Sequence, residues 1–360
     1  MGFSIAERRP PRRRLLRLLL ISALLIAATS TAAAIHVDAY ALTPGSATPM
    51  GPRMTFTPPQ PRVGGQVSMV DVNISQMTLL ARVIADATGG PRHFPGSAFG
   101  FEGTDGLEKY FEQSYLTMDQ AKHDAVIAAF HAVGQPIANI TTGLLVYDAT
   151  ASSSLHLGDF VEAVNGKRVT TTCELARALN AGTTAVATVR RGHLGRSTGA
   201  VRFGPPTRVI LAPTRQPHGL STYGGSRCFA AQTTMFGLRL VNPAHLETSV
   251  PAVSINTAQI GGPSAGFAMA LYLANRLQGG QLLRGRAVAA TGTIDADGKV
   301  GNVGGVPEKA VAVGNAKLTI FFVPRDEVDA ARVSAQRGIQ VVGVDSLDEA
   351  IAALTSPESA

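Results

Sequence analysis

The chain has 360 residues, 45% of them apolar and 16% charged, which is enough for two ordinary domains with packed cores. Its net charge is +7, but residues 1–17 hold six Arg and one Glu and contribute +5, so the rest lacks the basic surface of a nucleic-acid-binding protein. The eight histidines are scattered, and C-x-x-C, H-E-x-x-H and Walker A motifs are absent, so we expect no metal, no nucleotide and no other cofactor.

The N-terminal region predicts a membrane anchor. Residues 1–17 form a basic tail, and residues 18–37 are uncharged and long enough to cross a bilayer as a helix. Because arginines stay on the cytoplasmic side, everything after about residue 38 is expected outside the cytoplasm. The run Ala32–Ala34 also fits a cleavage site, so a removed signal peptide and a secreted product are the alternative.

Residues 38–140 form a lead-in region. Val67–Ile74 has the composition of a strand, and Thr117–Val133 has alanines at helical spacing. Thr117 and Gln120 are predicted to cap that helix at its N-terminus.

Residues 141–204 alternate strand, turn, strand, helix and strand. The segment Leu157–Lys167 reads Leu-Gly-Asp-Phe-Val-Glu-Ala-Val-Asn-Gly-Lys, and with the flanking elements it resembles the core of a bacterial PDZ domain. The resemblance implies that Gly143, Leu144, Leu145 and Val146 line a groove that binds a peptide C-terminus by strand addition. The alternative is that these four residues are simply a strand within a sheet.

Pro205-Pro206 is predicted to separate this region from a last domain, residues 205–355, in which Met235–Leu240 is an early strand. The two cysteines, Cys173 and Cys228, fall on opposite sides of the predicted boundary. We therefore expect buried free thiols rather than a disulfide.

A serine stands in a glycine-rich turn before an apolar helix. Ser264 lies in Gly261-Gly262-Pro263-Ser264-Ala265-Gly266, where it is accessible and close to the backbone of Gly262, Pro263 and Ala265, which we predict to form an oxyanion hole. The turn satisfies G-x-S-x-G, but no histidine follows position 245, which excludes the Ser-Asp-His order of α/β-hydrolases. The base is then best sought among the lysines that follow, and Lys309, in the first turn of a helix, is the strongest candidate.

Three ordered blocks resemble the Lon-type serine peptidase domain: the serine turn, Thr291-Gly292, and the run from Val303 to Lys309. The resemblance implies that Ser264 is the nucleophile, Lys309 the general base and Thr291 a residue that orients the lysine. The Lon pattern has an acidic residue where this chain has Gly261 and a lysine where it has Pro307. The resemblance is therefore better to membrane-anchored, PDZ-containing Lon-like peptidases of bacteria. A neutral Lys309 at pH 7 requires a pKa lowered by ~3 from its ordinary value, which burial can supply.

The sequence therefore predicts an α+β protein with an N-terminal transmembrane helix, a PDZ-like domain and a C-terminal Lon-type peptidase domain. Its expected function is that of an ATP-independent serine endopeptidase that cleaves extracytoplasmic proteins or peptides, which the PDZ-like domain selects or presents. A non-catalytic PDZ scaffold with a degenerate peptidase domain is the first alternative. Anion binding at the glycine-rich turn is the second. The oligomeric state stays open, with a homo-oligomer as one option.

Overall fold

A computed structural model describes residues 12–57, 59, 61, 63–101, 106–137, 142–150, 152–179, 183–194, 201–213, 238–244, 253–258 and 260–356. In this part of the chain the α-helices are α1 (Arg12–Ala34), α2 (Leu79–Thr88), α3 (Gly106–Ala132), α4 (Thr172–Ala178), α5 (Gly266–Leu277), α6 (Val306–Asn315), α7 (Val328–Ser334) and α8 (Leu347–Thr355). The strands are β1 (His36–Pro49), β2 (Met54–Phe56), β3 (Gln66–Thr78), β4 (His93–Phe94), β5 (Gly143–Ala149), β6 (Phe160–Val164), β7 (Lys167–Arg168), β8 (Ala185–Leu194), β9 (Val201–Leu211), β10 (Leu238–Ala244), β11 (Val253–Ile255), β12 (Ala287–Ala290), β13 (Thr293–Ile294), β14 (Val300–Gly301), β15 (Ile320–Pro324) and β16 (Gln340–Val344). The predicted mixture of helices and strands is confirmed.

The described residues divide into two compact units, and the first consists of residues 1–43 and 73–103. It contains α1, which is long and apolar enough to cross a membrane. An N-terminal signal sequence would have the same length and composition. It also contains α2, whose first turn is capped by the side chain of Thr78 and which ends at Gly89 in the left-handed conformation. Within this unit β1 pairs antiparallel with β4.

The second unit consists of residues 44–72 and 104–360 and contains the parallel part of a sheet that we call the first sheet. Its parallel strands have the order β16-β15-β12-β3, so strand β12 lies between β15 and β3. Helix α5 is buried over almost its whole length and packs against α3. Such an all-round apolar helix needs a partner on every side, which explains why the core of this unit is built around it.

Helix α3 is longer than the sequence predicted. It begins at Gly106, so the expected N-terminal cap at Thr117 is wrong. The Thr117 hydroxyl instead donates to the carbonyl of Ser114 inside the helix, at 3.0 Å. A threonine side chain is able to make either bond, and here the helix has already begun eleven residues earlier.

A second sheet in this unit has the order β10-β5-β6-β8-β9, with β7 paired to β6. Pro205 and Pro206 lie inside β9, where Pro206 is paired with Arg190, so the sheet continues past the predicted boundary at position 204. The prolines are tolerated there because β9 is an edge strand of this sheet. Strand β10, which the sequence assigned to the last domain, also belongs to this sheet.

Helix α4 lies in the same region and begins with a capping box between Thr171 and Glu174. Its residue Cys173 is disulfide-bonded, so the expectation of a free thiol at this position is wrong. Cys228 lies outside the described residues.

Candidate active site

Ser264 lies in a single 3₁₀ turn, Pro263–Ala265, that leads directly into α5. Gly262 precedes the turn with φ +89°, a conformation that favours glycine, and Pro263 supplies the φ that starts a helix. Ser264 is half-buried, whereas Ala265 and the first turns of α5 are buried. The local sequence thus places the serine at the surface end of a buried helix.

Helix α3 holds the serine turn from one side. The N–H of Gly262 donates to the Ser114 carbonyl at 2.7 Å. A Cβ at Gly261 would lie 2.8 Å from the Ser114 Cβ, so a side chain at this position requires the turn or α3 to move. The Gly262 N–H is therefore already bonded to α3, and Pro263 has no N–H. Neither residue is then able to donate to an oxyanion, which corrects the predicted composition of the oxyanion hole. Ala265 and Ser264 itself are the remaining backbone donors in the turn.

Thr291 connects the serine turn to the first sheet. It follows β12, is completely buried, and donates its N–H to the Phe322 carbonyl of β15 at 3.0 Å. Its hydroxyl donates to the carbonyl of Ser264 at 3.3 Å, and the N–H of Gly292 donates to the same carbonyl at 2.9 Å. The backbone of the serine is therefore held by two consecutive residues at the end of a central strand.

Lys309 reaches the same hydroxyl from α6. This helix begins after Gly305, which adopts the left-handed conformation, and the Lys309 side chain is only 2% exposed. Its amine donates to the Thr291 Oγ1 at 3.0 Å. The structure thus brings together the three residues that the sequence singled out, with the threonine hydroxyl between the lysine amine and the serine carbonyl.

Burial lowers the pKa of Lys309 from its ordinary value to about 8, because a charged amine is poorly solvated there. Glu327 and Asp71 act in the opposite direction, since their negative charges favour the protonated lysine. Glu327 is held in place by the N–H of Val303, which lies 3.1 Å from both of its carboxylate oxygens, and burial raises the pKa of Glu327 itself. Asp71 accepts from the N–H and the hydroxyl of Ser46, both at 2.9 Å.

Sequence reasoning missed both carboxylates. Asp71 lies in β3, 238 residues before Lys309, and Glu327 lies in a 3₁₀ turn after β15, 18 residues beyond it. The only available signal was that each is an acidic residue in or next to a strand of the buried sheet, which is too weak to have identified them.

With a pKa near 8, about a tenth of the lysine is neutral at pH 7 and most of it is neutral at pH 9. A neutral amine is able to accept a proton from a serine hydroxyl, which a solvated lysine does poorly at these pH values. Among the described residues, no group of three or more His, Cys, Asp or Glu side chains is arranged to hold a metal ion.

The four residues predicted to bind peptide lie in β5, in the second sheet. A Cβ at Gly143 would lie 2.5 Å from the Phe160 ring, so close packing of β5 on β6 requires this glycine. Strand β5 pairs with β6 along one edge and with β10 along the other, from Leu238 opposite Ala149 to Ala244 opposite Gly143. The residues therefore form a strand within a sheet, and a peptide is able to add at this edge only after β10 has left it.

Helix α3 contacts both this strand and the serine turn. Gln113 donates its side-chain N–H to the Tyr147 carbonyl of β5 at 2.9 Å, and Lys109 pairs with Asp148. The next residue after Gln113 is Ser114, the acceptor for the serine turn. Adjacent residues of one helix thus bind the second sheet and the candidate active site.

Comparison with known proteins identifies the domain that carries this site. Residues 242–356 match the family model of the Lon protease (S16) C-terminal proteolytic domain. Lon protease 1 of Bacillus subtilis is 34% identical over 93 residues, which are 25% of this chain and 12% of that protein. Lon protease of Methylocella silvestris is 38% identical over 95 residues, 26% of this chain and 12% of that protein.

The chain therefore contains a Lon-type serine peptidase domain, and the prediction of that domain is confirmed. The matched region spans about 12% of the length of each of these two relatives. The domain supports a protease function.

Proposed function

We propose that the protein is an ATP-independent serine endopeptidase in which Ser264 is the nucleophile and Lys309 the general base. The observation that carries this proposal is the Thr291 hydroxyl, which bonds to the buried lysine amine at 3.0 Å and to the serine carbonyl at 3.3 Å. An amine with a pKa of about 8 in such a position is suited to take up and return a proton near neutral pH. Peptide hydrolysis itself requires water and no nucleotide.

In the proposed reaction, the Ser264 hydroxyl attacks the substrate carbonyl while its proton passes to the neutral Lys309 amine. The resulting oxyanion is stabilised by the N–H groups of Ser264 and Ala265. The lysine then gives its proton to the leaving amine, and an acyl-enzyme remains. Water hydrolyses this ester with the lysine again as base. Thr291 positions the lysine throughout and does not itself exchange bonds with the substrate.

The test is cleavage of an unfolded protein by the purified full chain without ATP, with fragments identified by mass spectrometry. Ser264→Ala and Lys309→Ala are both expected to abolish cleavage. Lys299→Ala is the matched control, because this lysine is exposed in the turn between β13 and β14. Equal cleavage by wild type and both active-site variants would exclude this site, and no cleavage by any of them would favour the non-catalytic scaffold.

We also propose that α1 anchors the protein in a membrane with the peptidase domain outside the cytoplasm. The support is an apolar helical segment, Leu16–Ala34, none of which is buried against the rest of the protein, preceded by a cluster of arginines. A full-length product in the membrane fraction is expected on a blot of separated cell fractions. A shortened, soluble product would instead establish a cleaved signal sequence.

Finally, we propose that the second sheet selects substrates as a PDZ-like domain and that strand β10 competes for the peptide-binding edge of β5. Two contacts of β10 support the proposed competition. It pairs with β5 along the predicted peptide-binding edge, and it also contacts α4. Displacement of β10 would reach the active site through Gln113 and Ser114 of α3, which hold β5 and the serine turn respectively.

The competition is testable with a labelled peptide of the sequence of residues 238–244. Leu238 is 1% exposed and packs in the core of the second sheet, so Leu238→Asp is expected to expel β10. The variant should then bind the peptide at least tenfold more tightly than the wild type does, as measured by fluorescence anisotropy. Equal affinity would show that β10 does not compete. The proposed roles of Ser264 and Lys309 would still stand, because the cleavage assay tests them independently.

A further inference from the structure

Helix α2 presents an apolar face to solvent. Leu79, Val83 and Ile84 are 38%, 56% and 52% exposed, although each is a large apolar side chain. At 100° per residue they cover about 140° of the helix circumference. The charged residues Arg82 and Asp86 lie beyond this sector and pair with each other at 3.6 Å. We call Leu79, Val83 and Ile84 the α2 face.

The α2 face begins where α1 ends. The N–H of Leu79 donates to the carbonyl of Ile35 at 2.8 Å, and Ile35 directly follows the last residue of α1. The two helices are in contact, and Ile35 is itself 46% exposed. A helix with an exposed apolar sector is thus attached to the end of the segment that we propose as the membrane span.

This clustering is unusual within the part of the chain whose side chains are described. Outside α1, four of the exposed large apolar side chains there are Ile35 and the three residues of the α2 face. The others are Phe111, Val186, Ile210 and Val333. Val186 and Ile210 are paired across two strands, and the other two stand alone. Single exposed apolar residues are common on soluble proteins, whereas a group of four next to an apolar helix indicates an interaction surface.

We propose that the α2 face lies in the outer interfacial layer of the lipid bilayer. This inference rests on the proposed membrane anchoring by α1, which brings the first residue of α2 to the surface of the bilayer. A short helix with one apolar sector and a polar remainder is suited to lie in the plane of the interface, with the apolar side chains at the boundary of headgroups and acyl chains. The helix holds one Arg and one Asp, paired with each other, so its attachment depends on apolar burial rather than on anionic lipids.

The absence of tryptophan from the sequence allows a direct test. Val83→Trp places a single fluorophore on the α2 face of the full chain, which is reconstituted in phosphatidylcholine vesicles with brominated acyl chains. Bromine quenches tryptophan on contact, so the emission should shift to the blue and fall by at least about half relative to unbrominated vesicles. Leu24→Trp within α1 reports on the anchor, and Val333→Trp, at a position that is 86% exposed on α7, serves as the matched control.

Quenching of Val83→Trp and Leu24→Trp but not of Val333→Trp would support the inference. The quenching at position 83 should fall severalfold when Leu79→Ser and Ile84→Ser are added, and it should be unchanged by salt. If Leu24→Trp is quenched while Val83→Trp is not, the anchor stands and the interfacial position of α2 is refuted. If neither is quenched, both proposals fail. Concentration-dependent shielding of Val83→Trp from lipid and from aqueous acrylamide would show that a second copy covers the face, which also refutes the inference.

Discussion

Replacing Lys309 with methionine tests the buried lysine through stability as well as through activity. Methionine keeps most of the side-chain volume and removes the titrating amine. In the folded protein the pKa of Lys309 is about 8, against 10.5 for an ordinary lysine. Between these values the unfolded chain binds the lysine proton and the folded protein does not, so the free energy of unfolding rises with pH across this window. The full rise corresponds to about 3 kcal/mol.

We therefore expect the wild-type free energy of unfolding to increase from pH 8 to 10.5 relative to that of Lys309→Met, by up to about 3 kcal/mol. The measurement is urea unfolding of the full chain in detergent, followed by circular dichroism at several pH values. Lys299→Met, which removes an exposed lysine, should follow the wild type. Parallel profiles for wild type and Lys309→Met would refute the idea that burial perturbs this lysine. The wild-type cleavage rate should likewise rise about tenfold per pH unit below pH 8 and level off above it.

Three further predictions concern how Thr291, the serine turn and the second sheet are held. Thr291→Val removes the hydroxyl between lysine and serine and should lower kcat by on the order of tenfold to a hundredfold in single-turnover assays. Thr291→Ser keeps the hydroxyl and should retain most activity in the same assays. Equal losses in the two variants would contradict the positioning role. Gly261→Ala should slow peptide cleavage on the order of tenfold because its Cβ would meet α3, while Gly304→Ala, with nothing within 4 Å, should not; similar rates in both would show that the turn tolerates displacement. Gly143→Ala should destabilise the second sheet by about 1–3 kcal/mol through its contact with Phe160, seen as faster amide exchange in β5; unchanged exchange would be inconsistent with this packing.

The serine turn shows why much of the candidate site was predictable. Gly262 must adopt a positive φ, Pro263 starts the 3₁₀ turn, and the apolar run after Gly266 must be buried, all of which are local properties of the sequence. The position of Lys309 in the first turn of a helix is equally local. The predicted strand over residues 67–74 is confirmed within β3 for the same reason.

The second sheet shows where local information ends. Pro205 and Pro206 were interpreted as a boundary because proline usually interrupts strands, yet on an edge strand its missing N–H costs no pairing within the sheet. The pairing of β10 with β5 joins segments about ninety residues apart, and no pattern within either segment specifies the other. The PDZ resemblance of the region stays a prediction.

The sequence by itself determined the chemical groups, a serine in a glycine-rich turn and a lysine at a helix start, together with the apolar segment before residue 38. The tertiary structure decided the protonation of that lysine, because burial and the charges of Glu327 and Asp71 come from other elements. It also decided which backbone N–H groups remain for an oxyanion, since α3 takes the one at Gly262. Local conformation depends on neighbouring residues, whereas solvation, charge and strand pairing depend on contacts between distant parts of the chain.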